Sequence, residues 1–180
     1  MSLLKIFPAQ GAEKPEIVND HPSIAARLNQ HGIRFEQWSA SQDLSDAASQ
    51  EEVIEAYRAS VDRLMEESGF QSCDVVGLKP DHPQKVEFRN KFLNEHTHSE
   101  DEVRFFVDGT GLFYMHIDEK VLGVLCEKGD LISVPANTRH WFDMGPEPDF
   151  KCIRLFTNSE GWVAQFTGDA IADRFPRHGE

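Results

Sequence analysis

The sequence predicts a mainly β protein, a barrel or jelly roll with helices toward its N-terminus. Three observations carry this expectation. Beyond Glu102, short segments rich in β-branched and aromatic residues follow one another at regular spacing, with turn residues between them. The earlier part mixes that pattern with helical periodicity, and the composition shifts near residue 95 without a Pro/Gly/Ser-rich linker. The chain has 180 residues, 39% of them hydrophobic, with 13 Phe and 3 Trp, which is one domain's length and enough apolar volume for a core. Residues 1–180 are therefore read as a single domain, helical and mixed over about 1–94, with a barrel core over about 95–166.

Taken in order, the elements follow from local signals. A short helix is expected after Asp20, through Ile24, Ala25 and Leu28 to Gly32. Ser49-Gln50-Glu51-Glu52 has the capping-box pattern, in which hydroxyl and carboxylate satisfy the first unpaired N–H groups of a helix. Val53, Ile54, Tyr57, Val61, Leu64 and Met65 then recur at helical spacing until Gly69, predicting one helix over about 50–68. Another follows Pro83, through Val86, Phe88 and Phe92. Strands are expected over 103–107, 112–117, 121–126, 131–134, 140–142 and 150–156. The segments 108–111, 128–130 and 145–148, rich in Gly, Pro and Asp, read as the turns.

Charge and cysteine usage exclude several classes. With 18 basic against 31 acidic residues the formal charge is −13, and no Lys/Arg stripe offsets it, which argues against nucleic acid as a partner. No apolar run approaches the roughly 20 residues of a membrane helix. The start, Met1 to Phe7, lacks a basic n-region and is broken by Lys5, so the chain reads as cytoplasmic. Cys73, Cys126 and Cys152 are odd in number and widely spaced, which suits buried small hydrophobes better than a disulfide framework or a thiolate zinc site.

The chemistry concentrates in His96-Thr97-His98-Ser99-Glu100-Asp101-Glu102, followed by Gly109, then Gly129, Pro135 and His140. An H-x-H pair with an acid four residues later arises by chance about 0.06 times in a chain of this composition. Alternate residues on a strand share a face, so His96 and His98 can converge on one ion; Glu102 keeps their parity, and His140 comes from a later strand. Three imidazoles and one carboxylate without thiolate suit Fe(II), Ni(II), Mn(II) or Zn(II), and a six-coordinate ion would keep two positions open for a chelating substrate.

These motifs resemble those of the cupin superfamily, H-x-H-x3-4-E-x6-G and G-x5-P-x-G-x2-H. Asn137 stands where the second motif has Gly, and Met144 where an Asn is usual. More closely, Phe92 to His98, Asp101 to Phe106, His140 to Gly145 and Gly161 to Phe166 look like the acireductone dioxygenases of methionine salvage, bacterial branch, over essentially the whole chain. The resemblance implies a cupin β-barrel with flanking helices and one Fe(2+) or Ni(2+) per chain, held by His96, His98, Glu102 and His140. It implies 1,2-dihydroxy-3-keto-5-methylthiopentene and O2 as substrates. The iron form would give formate and 4-methylthio-2-oxobutanoate; the nickel form would give formate, carbon monoxide and 3-methylthiopropanoate. It also implies a monomer, a role for Glu95 in metal loading and for Asp101 in relaying local conformational change.

Beside the ligands, Arg104 shares the parity of Glu102 and would point toward the metal, where a doubly deprotonated enediol would balance its charge. The competing orientation is outward, because Val103, Phe105 and Val107 also form an apolar face. Phe92, Phe142 and Trp162 are core aromatics or walls of a substrate pocket, and Glu95 and Asp101 are solvated acids or supports of the ligands. His116 reads as a hydrogen-bonded core histidine. Two rival functions remain, a cupin isomerase of other chemistry and a non-catalytic ligand-binding cupin.

Overall fold

The computed structural model describes residues 1–11 and 13–180. Its strands are β1 (Leu3–Pro8), β2 (Glu16–Val18), β3 (Arg34–Gln37), β4 (Ser72–Leu78), β5 (His96–Thr97), β6 (Glu102–Ile117), β7 (Lys120–Glu127), β8 (Asp130–Val134), β9 (Arg139–Asp143), β10 (Phe150–Phe156) and β11 (Gln165–Phe166). Its helices are α1 (His21–Asn29), α2 (Gln50–Ala56), α3 (Arg58–Ser68) and α4 (Lys85–Phe92). All strand pairs are antiparallel. One sheet runs β11-β5-β9-β6-β7-β1-β2, and the other runs β4-β10-β6-β8-β3. The two share β6 and enclose a common core in which Phe113, Met115, Leu122 and Val124 of one meet Phe106, Ile132, Val134 and Cys152 of the other. This is the cupin jelly roll.

The expected turn at 108–111 is not a reversal. Residues 102–117 form one strand that bends at Gly109 and passes from one sheet to the other, pairing first with β8 and β10 and then with β7 and β9. Gly109 has φ +74°, and a Cβ there would fall 1.8 Å from the Asp149 carbonyl oxygen, so glycine marks close backbone approach at a barrel corner. The strands of the first part were less legible than its helices. β1 pairs with β7, β3 with β8 and β4 with β10, so residues before 95 contribute directly to both sheets.

The helix expected over 50–68 is two helices. Tyr57, at φ −116° and ψ 15°, ends α2 and precedes α3, and its buried ring sits 4.6 Å from that of Phe105. Both helices direct Val53, Ala56, Val61 and Leu64 at the same outer face of the sheet, so the apolar period continues across the break. That face includes Val103, Phe105 and Val107. Their apolar row is therefore covered by helices, and the alternate residues Glu102, Arg104 and Phe106 belong to the barrel interior. All three cysteines are free; Cys126 and Cys152 are fully buried, and burial pushes their thiols up, Cys152 to about 12.

Helix α4 lies over the barrel mouth with Phe88 and Phe92 against the inner core, and has no fully buried residue of its own. An ion pair holds it. Arg89 gives Nε and Nη2 to the two carboxylate oxygens of Asp143 at 2.8 and 3.0 Å, while the N–H groups of Gly145 and His178 donate to the same carboxylate. Burial alone pushes the Asp143 carboxyl up, but Arg89 and these N–H groups outweigh it and hold the group below its ordinary value of 3.8. The ionised form thus stabilises the fold, fully above the unfolded pKa and progressively less as pH falls through the folded one. Asp143→Asn should cost about 1.5–3 kcal/mol at neutral pH and flatten the acid limb of stability below about pH 4, read by urea denaturation across pH. Wild-type stability with an unchanged acid limb would contradict this.

Candidate metal centre

The four residues of the two motifs meet. One donor atom from each of His96, His98, Glu102 and His140 lies within 4.8 Å of every other, and all four side chains are buried. Ring centroids are 5.0 Å apart for His96 and His98, 4.5 Å for His96 and His140, and 5.1 Å for His98 and His140.

Local structure explains the convergence. His96 lies in β5 directly opposite His140 in β9, while His98 lies just past the end of β5 and Glu102 opens β6. Between Gly129 and Pro135 the chain forms strand β8, and the turn after it delivers His140. That turn contains Asn137 at φ +62°, a left-handed backbone that Gly adopts freely and Asn tolerates better than most residues. The departure from the glycine motif therefore preserves the turn. Asn137 N–H also donates to the His98 carbonyl at 2.8 Å, joining the two motifs.

Hydrogen bonds orient each imidazole. Nδ1 of His96 donates to the Asn94 carbonyl at 2.7 Å, Nδ1 of His140 to Thr138 at 2.7 Å, and Nδ1 of His98 to Val163 at 3.3 Å. Each Nε2 is thereby the ring atom left for an ion. Burial, helped by the neighbouring His140, takes His96 down to about 4, so it is a neutral imidazole with a lone pair to give. Burial also opposes charge on His140 and on Glu102. For this pair the mutual hydrogen bond of 2.8 Å prevails, raising His140 and, with His98 and Arg104, holding Glu102 well below the carboxylate range. A neutral imidazole at His96, a deprotonated carboxylate at Glu102 and Nδ1 atoms tied to main-chain carbonyls are donor chemistry that suits a divalent cation.

Arg104 points inward and is buried; its Nε donates to Glu102 Oε1 at 2.9 Å. Its guanidinium carbon stands 5.5 Å from the centre of the Phe142 ring and 5.2 Å from that of Trp162. A cavity of about 290 Å³ lies beside it, with Phe92 and Phe142 in the wall. Trp162 is not in that wall; it packs between Arg104 and Arg154, each 5.2 Å from its ring centre, and 6.2 Å from His98. Glu95 is buried, with Oε2 accepting from His116 Nδ1 at 2.6 Å and Oε1 from Thr167 at 2.8 Å. His116 is thus a hydrogen-bonded histidine behind the ligands. Asp101 Oδ1 accepts from Ala136 N–H at 2.8 Å and so braces the turn that carries His140.

Sequence reasoning missed Arg154 and Thr167. Arg154 stands opposite Arg104 on one side and Asp74 on the other, in a row across the sheet, and pairs with Asp74 through Nε at 2.8 Å. That row exists only once strand register is known. Thr167 follows β11 and bonds both the main chain and the carboxylate of Glu95, a contact 72 residues distant with no local signal.

Comparison with known proteins agrees with this geometry. The model of the ARD/ARD' family matches residues 7–164. The acireductone dioxygenase of Alcanivorax borkumensis is 59% identical over 177 residues, covering 98% of this chain and 98% of that protein. Those of Methylococcus capsulatus and Citrobacter koseri are each 58% identical, over 98% of this chain and 95% and 99% of their own lengths. A solved acireductone dioxygenase from Bacillus anthracis, with cadmium in its active centre, superposes with a TM-score of 0.79 at 28% identity, covering 92% of this chain and 98% of that one. With its metal-type donor cluster at the mouth of a cupin barrel and these relatives along almost its full length, the chain belongs to the ARD/ARD' family.

Proposed function

We propose that this chain is a metal-dependent acireductone dioxygenase that cleaves 1,2-dihydroxy-3-keto-5-methylthiopentene with O2, with residues 1–180 forming one domain. The observation that carries the reading is one buried cluster in which three imidazoles, Glu102 and Arg104 converge beside a cavity. His96, His98, Glu102 and His140 would hold one Fe(II) or Ni(II) per chain. A bound ion of this kind supplies Lewis acidity and a template on which an enediol can be held.

The protein's own groups then account for substrate binding. Arg104 gives its Nε–H to Glu102, and among the described residues its terminal N–H groups make no further hydrogen bond. Those groups would pair with the oxygens of an enediol dianion, keeping it deprotonated in a site where water competes little. Phe92 and Phe142 would pack the methylthio chain, and Trp162 would fix the guanidinium by lying against it. Glu95, held by His116, would steady the segment carrying His96 during metal loading, and Asp101 would steady His140. Oxygen uptake with an acireductone separates this reading from the isomerase and from the non-catalytic ligand-binding protein. Among the described residues no helix is long and apolar enough to cross a membrane; we read the protein as a cytoplasmic monomer without nucleic-acid partners.

The same ligands accept either metal, so the metal loaded would select the products. Protein loaded with Fe(II) or Ni(II) should consume O2 with the acireductone in both cases, and headspace analysis should find carbon monoxide from the nickel form only; no O2 uptake with either metal would refute the function. Arg104→Ala should retain metal by elemental analysis yet lose the spectral shift of the bound dianion and lower kcat/KM by about 100-fold or more. An unchanged shift would remove Arg104 from substrate binding.

A further inference from the structure

A single hydrogen bond holds the Arg104 guanidinium, from Nε to Glu102, so its terminal nitrogens are placed by what packs against them. Two rings do so, Phe142 at 5.5 Å from the guanidinium carbon and Trp162 at 5.2 Å. Phe142 is buried on β9 and fixed by the core. Trp162 lies outside the long strands, in the connection between β10 and β11, and is only partly buried. Its position needs another support.

Arg154 supplies it. This residue faces Arg104 across the β6–β10 pair and Asp74 across the β10–β4 pair. Its Nε and Nη2 donate to the two carboxylate oxygens of Asp74, a two-point grip that sets the plane of the guanidinium. The Trp162 ring centre is 5.2 Å from the Arg154 guanidinium carbon, and that of Phe156 is 6.0 Å from it. Rings and guanidinium groups thus alternate from Phe156 through Arg154, Trp162 and Arg104 to Phe142. Asp74 and Arg154 are more than a quarter exposed, where an ion pair adds little stability but still orients a side chain.

We propose that Asp74 is a positioning residue for substrate binding: by gripping Arg154 it seats Trp162, which in turn steadies Arg104 with its terminal N–H groups free for the enediol. This rests on the dioxygenase reading. Charge alone predicts the opposite sign. Without the Asp74 carboxylate, Arg154 would stand uncompensated at the cavity wall, and an extra cation there would tighten the hold on a dianion. Loss of the grip would instead loosen it.

The test is an anaerobic titration of nickel-loaded protein with the acireductone, following the spectral shift of the bound dianion at equal metal content. Asp74→Asn should raise the dissociation constant by about fivefold. An unchanged constant would make the pair a surface ion pair only, and a lowered one would make Arg154 a direct cation for the substrate; either overturns the proposal. In a Trp162→Leu background the same Asp74→Asn change should alter the constant by less than about twofold, because the route to Arg104 is already cut. A full fivefold effect persisting there would overturn the route through Trp162. Absence of any shift or O2 uptake in the wild-type protein would strike the dioxygenase reading itself, and so is distinguishable from failure of the Asp74 variant alone.

Discussion

A single carboxylate in a water-poor interior organises this protein. Glu102 accepts from Arg104 Nε and lies 2.8 Å from His140 Nε2 and 3.1 Å from His98 Nε2, and it stays ionised because these three neighbours outweigh the cost of burial. Each neighbour belongs to a different structural setting: His98 lies past the end of β5, His140 on β9 and Arg104 on the same strand as Glu102. The barrel must therefore bring two sheets and a tight turn to one point. The bend of β6 at Gly109 lets one strand serve both sheets and makes this possible.

Support radiates from that point in layers. The Nδ1 atoms of the three histidines are tied to main-chain carbonyls, Glu95 is tied to His116 and Thr167, and Asp101 to the turn before His140. Farther out, Asp143 fixes α4 through Arg89 and the C-terminal segment through His178. The helix that walls the cavity is thus anchored to the strand that carries His140. Metal site and pocket share a frame, which is what a reaction on a metal-held enediol with an apolar chain requires.

The cluster of His96, His98, Glu102 and His140 was legible in the sequence because its spacing is short and tied to strand parity. Arg104 was legible by the same rule, although the apolar row of Val103, Phe105 and Val107 competed with it until helices α2 and α3 were seen to cover that row. The fold class was also readable, but the strands before residue 95 and the bend at 109 were not. A Gly-rich tetrapeptide looks alike whether the chain reverses there or merely turns a barrel corner, and only the pairing partner decides. Trp162, Arg154 and Thr167 depend on contacts between distant segments, for which a local pattern holds no signal.

X-ray absorption on the iron- or nickel-loaded protein tests the central claim most directly. The account predicts an ion bound by three imidazole nitrogens and one carboxylate oxygen, its remaining coordination filled by solvent oxygen that the enediol replaces. A spectrum requiring fewer than three imidazoles, or protein donors at the positions the substrate should take, would contradict it.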